Sequence, residues 1–272
     1  KLWHKFYTQP IINKQENLTK SPPTGTFLFI FTQKFSIKAI FHLLLLKTKG
    51  IVLGYIKYRE TSIIVKIFTE EFGLQTYVQN GVRSPKAKTK MALFQPMTLL
   101  DMVVYHKTGQ EINRISELKC EKPLMTLQSD FKKLAVGMFL VEVITKCLHQ
   151  AEANKELFDF VHSSFLELDK ENGSELNIFH IKFLFELSGF LGFHPDNYQE
   201  FQRQMLSYKA SWLHVFNDDS FKFICVSFIE GIYSVDISPA VRSTFLDILC
   251  DFYHIHIENF GEMRSLKVLR EL

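Results

Sequence analysis

Residues 46–122 run as short stretches of alternating apolar and polar residues, residues 123–272 change to a helical period, and the formal charge changes sign between the two. Together these observations predict an α+β fold, an N-terminal five-stranded OB-fold barrel followed by a mostly α-helical domain. A chain of 272 residues with 46% hydrophobic and 22% charged residues is long enough to bury a core in each part.

The first strand is predicted over residues 50–58, with Ile51, Leu53 and Tyr55 on one face. Arg59-Glu60-Thr61 turns the chain into a second strand over 62–69, where Ile63, Val65 and Ile67 share a face. Glu70-Glu71-Phe72-Gly73 then leads into a third over 74–81. Next comes Gly81-Val82-Arg83-Ser84-Pro85-Lys86-Ala87-Lys88-Thr89-Lys90, a loop with four cations and no acid. The fourth strand, over 96–106, is apolar on both faces, which suits a strand covered by the barrel interior on one side and by the second domain on the other. Lys107-Thr108-Gly109 turns into a fifth strand near 111–118.

Beyond Pro123 the period is helical. Asp130 is the N-cap of a helix reaching about residue 149, with Leu134, Met138, Val141, Thr145 and Leu148 on one stripe. A second helix covers 154–168, and Ser174 caps a third that stops near Gly192, ahead of Pro195. Residues 212–228 alternate around Asn217-Asp218-Asp219-Ser220 and predict a small β-hairpin. Pro239 opens a helix carrying Phe245, Leu249 and Phe252, and residues 262–272 form a last short one.

Residues 1–46 hold six Lys against one acid, residues 47–122 hold 13 Lys/Arg against seven Asp/Glu, and residues 123–272 hold 13 against 21. A basic barrel joined to an acidic helical domain implies that the barrel meets a polyanion and the helices fold, space or meet proteins. Residues 1–45 read as an irregular leader, upstream sequence preceding a natural start near Leu45 or Leu46; its apolar part is cut by Lys34, Lys38 and His42 and is too short to span a bilayer. Cys120, Cys147, Cys225 and Cys250 are widely spaced with no Cys-x-x-Cys pair, which argues against a zinc knuckle or a disulfide framework and for reduced thiols in the cytoplasm.

A barrel that grips nucleic acid needs cations along the phosphates and flat groups for the bases. Arg83, Lys86, Lys88 and Lys90 are the main candidates for the first task, with Lys49, Lys57 and Arg59 on or beside the first strand as a continuation. Tyr55, Tyr58, Tyr77 and Phe94 are candidates for base stacking. Arg264, Lys267 and Arg270, three residues apart near the C-terminus, are candidates for gripping an acidic partner segment. No catalytic residues and no metal ligands are assigned. His254, His256 and Glu258 face different sides of a helix, and Asp218-Asp219 is turn chemistry, although a metal-dependent nucleic-acid enzyme using those carboxylates, or an RNA-binding OB-fold protein, is the alternative reading.

Residues 45–272 resemble the RecO family of bacterial DNA-repair and recombination-mediator proteins. The resemblance lies in the opening Lys49-Gly50-Ile51-Val52-Leu53 strand, in Gly81-Val82-Arg83 before the basic loop, and in Leu93-Phe94-Gln95-Pro96 after it. It continues in the run from Phe185-Glu186-Leu187-Ser188-Gly189-Phe190 through Gly192-Phe193-His194-Pro195, and in the tail Ser265-Leu266-Lys267-Val268-Leu269. It implies a non-enzymatic protein of the bacterial cytoplasm and nucleoid that binds single- and double-stranded DNA and anneals complementary strands. It also implies work with RecR and single-strand-binding protein so that RecA can load. Many relatives carry a four-cysteine zinc site after the Gly-Phe-x-Pro turn; between residues 196 and 233 this chain has only Cys225, so no cofactor is expected.

Overall fold

The computed structural model describes residues 45–87, 89–107, 109–148 and 152–270. The leader expected over residues 1–45 lies outside them except for Leu45, and Lys88 of the basic loop lies outside them too. Five strands, β1 (Leu45–Tyr58), β2 (Ser62–Thr69), β3 (Gly73–Gln79), β4 (Leu99–Tyr105) and β5 (Asn113–Lys122), close into a barrel in the order β1-β2-β3-β5-β4, the OB arrangement. All neighbours are antiparallel except β3 and β5. β1 serves two neighbours, pairing with β4 from Leu45 to Ile51 and with β2 from Gly50 to Tyr58. At the handover a Cβ on Gly50 would stand 2.7 Å from Ile67 Cγ2 and 2.8 Å from Met102 Sδ, so only glycine lets the strand bend across the interior.

The alternation read from the sequence becomes the barrel core, with Val52, Ile63, Val65, Ile67, Leu100, Met102, Val104 and Ile115 pointing inward. β4 starts at Leu99 rather than at residue 96, because Met97 takes a left-handed φ of 69° and its amide turns to Val52 O at 2.8 Å. The second domain covers only the start of this strand. Leu99 joins the helical core, Leu100, Met102 and Val104 face inside, and Asp101 and Val103 remain partly exposed.

The helices are α1 (Met125–Ser129), α2 (Phe131–Cys147), α3 (Lys155–Lys170), α4 (Gly173–Phe190), α5 (Tyr198–Tyr208), α6 (Leu213–Phe216), α7 (Asp219–Ile229), α8 (Pro239–His256) and α9 (Leu266–Arg270). Asp130 caps α2 by accepting from the amides of Lys132 and Lys133 at 2.8 and 3.1 Å. Asn154 caps α3 through Leu157 N at 2.9 Å, and Ser238 caps α8 just before Pro239. For α4 the N-cap is Asn172, two residues ahead of the expected Ser174.

The expected hairpin over 212–228 is a correction: α6 and α7 occupy it, and Asp218 is a helix cap whose carboxylate accepts from the amides of Ser220 and Phe221 at 2.8 and 3.2 Å. Phe221, Ile224, Cys225 and Phe228 are buried at helical spacing, and that period prevails over the local alternation. The phenylalanines of this region close the core, with Phe185 packed against Phe228 and Phe245 at ring separations of 5.6 and 5.4 Å.

Barrel and helices share one apolar seam, where Ile51, Leu53, Phe68, Met97 and Leu99 enter the helical core and the rings of Phe68 and Phe158 lie 5.5 Å apart. Gly137 of α2 packs tightly on this seam, where an added Cβ would run into Met97 Sδ. Nearby, Lys133, only 2% exposed, ties α1 to α3 by donating from Nζ to Thr126 Oγ1 at 2.9 Å and Asp169 O at 2.8 Å. His180 of α4 is also buried, against the edge of Phe139, and its Nδ1 has no partner among the described residues.

Two outcomes follow from these contacts. In a solvent-facing helix Gly→Ala stabilises by roughly 1 kcal/mol, but Gly137→Ala is expected to cost about 1–3 kcal/mol in urea denaturation and to be tolerated once Met97 is also Ala. Burial, followed by the charge of Arg242, pushes the His180 imidazole down to about 3. The unfolded chain takes up this proton near its ordinary value of about 6.5 and the native state does not, so stability falls as pH drops from about 6.5 towards 3, by at most about 1.4 kcal/mol per pH unit. Urea midpoints at about pH 7 and pH 5 should converge in His180→Phe, without becoming equal, since burial also lowers His106 and His256.

Candidate nucleic-acid interface

The basic loop is fastened at both ends by apolar side chains. Val82, 4% exposed, enters the barrel core just before Arg83, and Phe94, fully buried on the 3-10 turn Met91–Phe94, enters it just after Lys90. Between them Ser84 N and Ala87 N close short turns onto Gly81 O and Ser84 O at 3.1 and 3.0 Å, leaving Arg83, Lys86 and Lys90 exposed. The loop is also tied sideways to the β1–β2 turn. Arg83 N donates to Thr61 O at 3.0 Å and its guanidinium to Arg59 O at 3.2 Å. Arg59, in a left-handed turn conformation with φ of 50°, places its own guanidinium 5.1 Å from the centre of the Tyr58 ring.

The tether joins two cation groups that are separate in the sequence: Arg59, Arg83, Lys86 and Lys90 form one corner of the barrel. None of the four is in an ion pair with a carboxylate among the described residues, and Glu60 is the single acid of the turn. Lys57 is exposed too, but pairs across with the inward-facing Ile63, so it sits on the barrel rim away from the face that carries Ile56 and Tyr58.

Lys49 is a correction to the expected cation row. It lies roughly 30 Å of strand away from Arg59, on the side facing the helical domain, and its Nζ donates to Glu121 Oε1 at 2.6 Å. Glu121 in turn holds His162 of α3 through its other oxygen at 2.8 Å. The hydrogen bond that Lys49 donates to Glu121 raises its ammonium above its ordinary value; burial works against the Glu121 charge, but its bonds with Lys49 and His162 prevail and hold its carboxyl low. The concavity here, of about 480 Å³, also presents Lys47 and Lys119 against Glu70, Asp101 and Glu117. Such a balanced mixture does not attract a polyanion.

The aromatic candidates separate the same way. Tyr77 and Phe94 are 0% exposed and fill the barrel, so neither offers a ring to a base, and the buried Tyr77 hydroxyl is pushed well above its usual value by desolvation. Tyr55 is partly buried, paired with the inward Val65 and packed on the barrel core. Only Tyr58, at 36% exposure, faces outward. The strand alternation could have signalled this for Tyr77, since it opposes Val65. It could also have signalled Lys66, absent from the expected cation row, which stands exposed between Gly54 and Thr76.

The C-terminal cations do not form one group. Arg264 borders an apolar groove of about 970 Å³ between α2 and α9, lined by Leu53, Phe131, Leu134, Met138 and Val268. Lys267 and Arg270 border a different depression beside α8, and Arg270 is engaged in an ion pair with Asp247. The start of α9 is pinned by Glu142, which accepts from the amides of Arg264 and Ser265, each at 2.8 Å. Burial opposes the Glu142 charge, yet the bonds from Ser265 and Arg264 hold its carboxyl below the usual range.

The carboxylate of Asp218 is occupied by its two capping amides. His254 Nδ1 is bonded to Cys250 O, and His256 Nε2 to Gln204 Oε1. No three His, Cys, Asp or Glu side chains converge as metal ligands among the described residues. Burial pushes the thiols of Cys147 and Cys250 up to about 12 and that of Cys225 well above its usual value, which makes them poor nucleophiles. No helix among the described residues is long and apolar enough to cross a membrane.

Comparison with known proteins accounts for this combination of barrel and helices. Residues 43–124 match the family described as recombination protein O N terminal, and residues 128–203 that described as recombination protein O C terminal. The chain is 31% identical over 236 residues to the DNA repair protein RecO of Flavobacterium psychrophilum, covering 84% of this chain and 98% of the relative. It is 30% identical over 241 residues to that of Bacteroides fragilis, covering 84% and 99%. With both halves matched in order and nearly the whole length of these relatives spanned, the chain belongs to the RecO family of DNA repair proteins.

Proposed function

We propose that this protein binds single- and double-stranded DNA through the Arg59–Arg83–Lys86–Lys90 corner and anneals complementary strands without breaking a bond. In this reading it helps RecA load onto DNA coated by single-strand-binding protein, in concert with a RecR-like protein at the bacterial nucleoid. The observation that carries the reading is the pair of hydrogen bonds from Arg83 to the β1–β2 turn, which joins Arg59 to the exposed cations of the loop on one outward corner, whereas Lys49 and Lys119 elsewhere on the barrel are matched to Glu121 and Asp101. Holding two backbones against one positive surface lowers their mutual repulsion and raises their encounter rate. Neither a metal nor a cofactor is required. Arg264 and Lys267, with the apolar groove beside α9, are assigned to an acidic segment of a protein partner.

Replacing Arg59, Arg83, Lys86 and Lys90 together by Ala is expected to weaken single-strand binding at least about tenfold at low salt and to flatten the log–log salt dependence by about 3, from roughly 0.7 per phosphate contact. Annealing of labelled complementary oligonucleotides should slow in parallel. Lys49→Ala, whose charge Glu121 already neutralises, should leave both unchanged. Equal affinity and equal salt slope for the fourfold variant and the parent would refute the corner as the DNA site.

A further inference from the structure

The outward face beside the cationic corner carries a row of side chains that strand pairing places edge to edge. Ile56 of β1 opposes Ile64 of β2, Ile64 opposes Val78 of β3, and Val78 lies beside Arg114 of β5. Ile56 is 64% exposed, Ile64 and Val78 are partly so, and Arg114 is exposed. One pleat along β2, the exposed Lys66 pairs with Gly54, whose missing side chain leaves open space beside it. At the β1 end the row runs into Tyr58 and the tethered Arg59 and Arg83.

An OB-fold face that captures single strands by stacking needs several exposed rings spaced like successive bases. Among the described barrel residues only Tyr58 and Tyr105 are exposed aromatics, and they lie at opposite ends of the row, roughly 20 Å apart around the barrel at about 4.8 Å per strand. Tyr58 also has Arg59 over its ring. What the face offers is aliphatic surface flanked by cations. Deoxyribose has apolar faces that suit aliphatic side chains, and Lys66, Arg114, Arg59 and Arg83 border this row with the positive charge that phosphates require.

We infer that the β1–β2–β3 face holds a single strand by its sugar–phosphate chain and leaves the bases turned outward, free to pair. This rests on the DNA-binding reading above and deepens it, since a strand whose bases are sequestered must be released before it can anneal, whereas one held by its backbone can pair in place. Charge complementarity and continuity with the cationic corner favour a polynucleotide over a protein on this surface.

The test is equilibrium binding of the full chain to an oligothymidylate and to an abasic oligomer of equal length, at matched ionic strength. The abasic oligomer should bind within about threefold of the thymidylate and with the same salt slope, because no stacking is lost. Ile56→Glu, at a position exposed enough not to disturb folding, and Lys66→Ala should each weaken both oligomers by the same factor. If the abasic oligomer binds more than about tenfold more weakly, bases are stacked and the inference fails, since one stacked base is worth roughly 5- to 150-fold. If both oligomers bind alike but neither variant changes them, the strand lies elsewhere, this face is open to a protein partner, and the inference fails. If neither oligomer binds, the DNA-binding reading itself is overturned.

Discussion

The arrangement depends on two apolar side chains, Val82 and Phe94, buried in the barrel at either end of a loop whose exposed residues repel one another. Burying such side chains contributes roughly 1.5–3 kcal/mol each, enough to hold a short cationic segment in place against its loss of conformational freedom. Were the loop fixed at one end only, its lysines would be a solvated tether with no preferred direction. With both ends inserted, Arg83 reaches the β1–β2 turn, and cations separated by more than twenty positions in the chain share one surface.

Positive charge on the barrel is neutralised selectively, by the barrel's own carboxylates on the side that α3 meets: Glu121 accepts from Lys49 and holds His162 of α3, and Glu70 accepts from Lys155 of α3. The apolar seam around Phe68, Phe158 and Met97 sets that side of the barrel against the helices. The cationic corner and the aliphatic row therefore lie on the part of the barrel surface that the helices do not cover. Fold and electrostatics are thus coupled: the seam that joins the domains also decides which lysines are spent on structure.

Much of this was legible residue by residue. Alternation at Ile63, Val65 and Ile67 gave the inward face of β2, and Asp130, Asn154 and Pro239 marked helix starts because capping chemistry is local. The stretch around Asn217–Ser220 was misread because Asp and Ser serve turns and helix caps equally well; only the spacing of Phe221, Ile224, Cys225 and Phe228, once packed on Phe185 and Phe245, favours the helix. Tyr77 and Phe94 were misread as surface rings because an aromatic beside a basic loop looks the same in sequence whether it plugs a barrel or lines its outside.

By itself the amino-acid sequence determined the period of each segment, the placement of the caps and the concentration of positive charge in the barrel, since all three arise from neighbours a few positions apart. Only the tertiary structure decided which cations share a surface, that Lys49 is matched by Glu121, and that the outward row is aliphatic and not aromatic. Those outcomes depend on strand register and on contacts between residues as distant as Lys49 and Glu121, which local spacing does not encode.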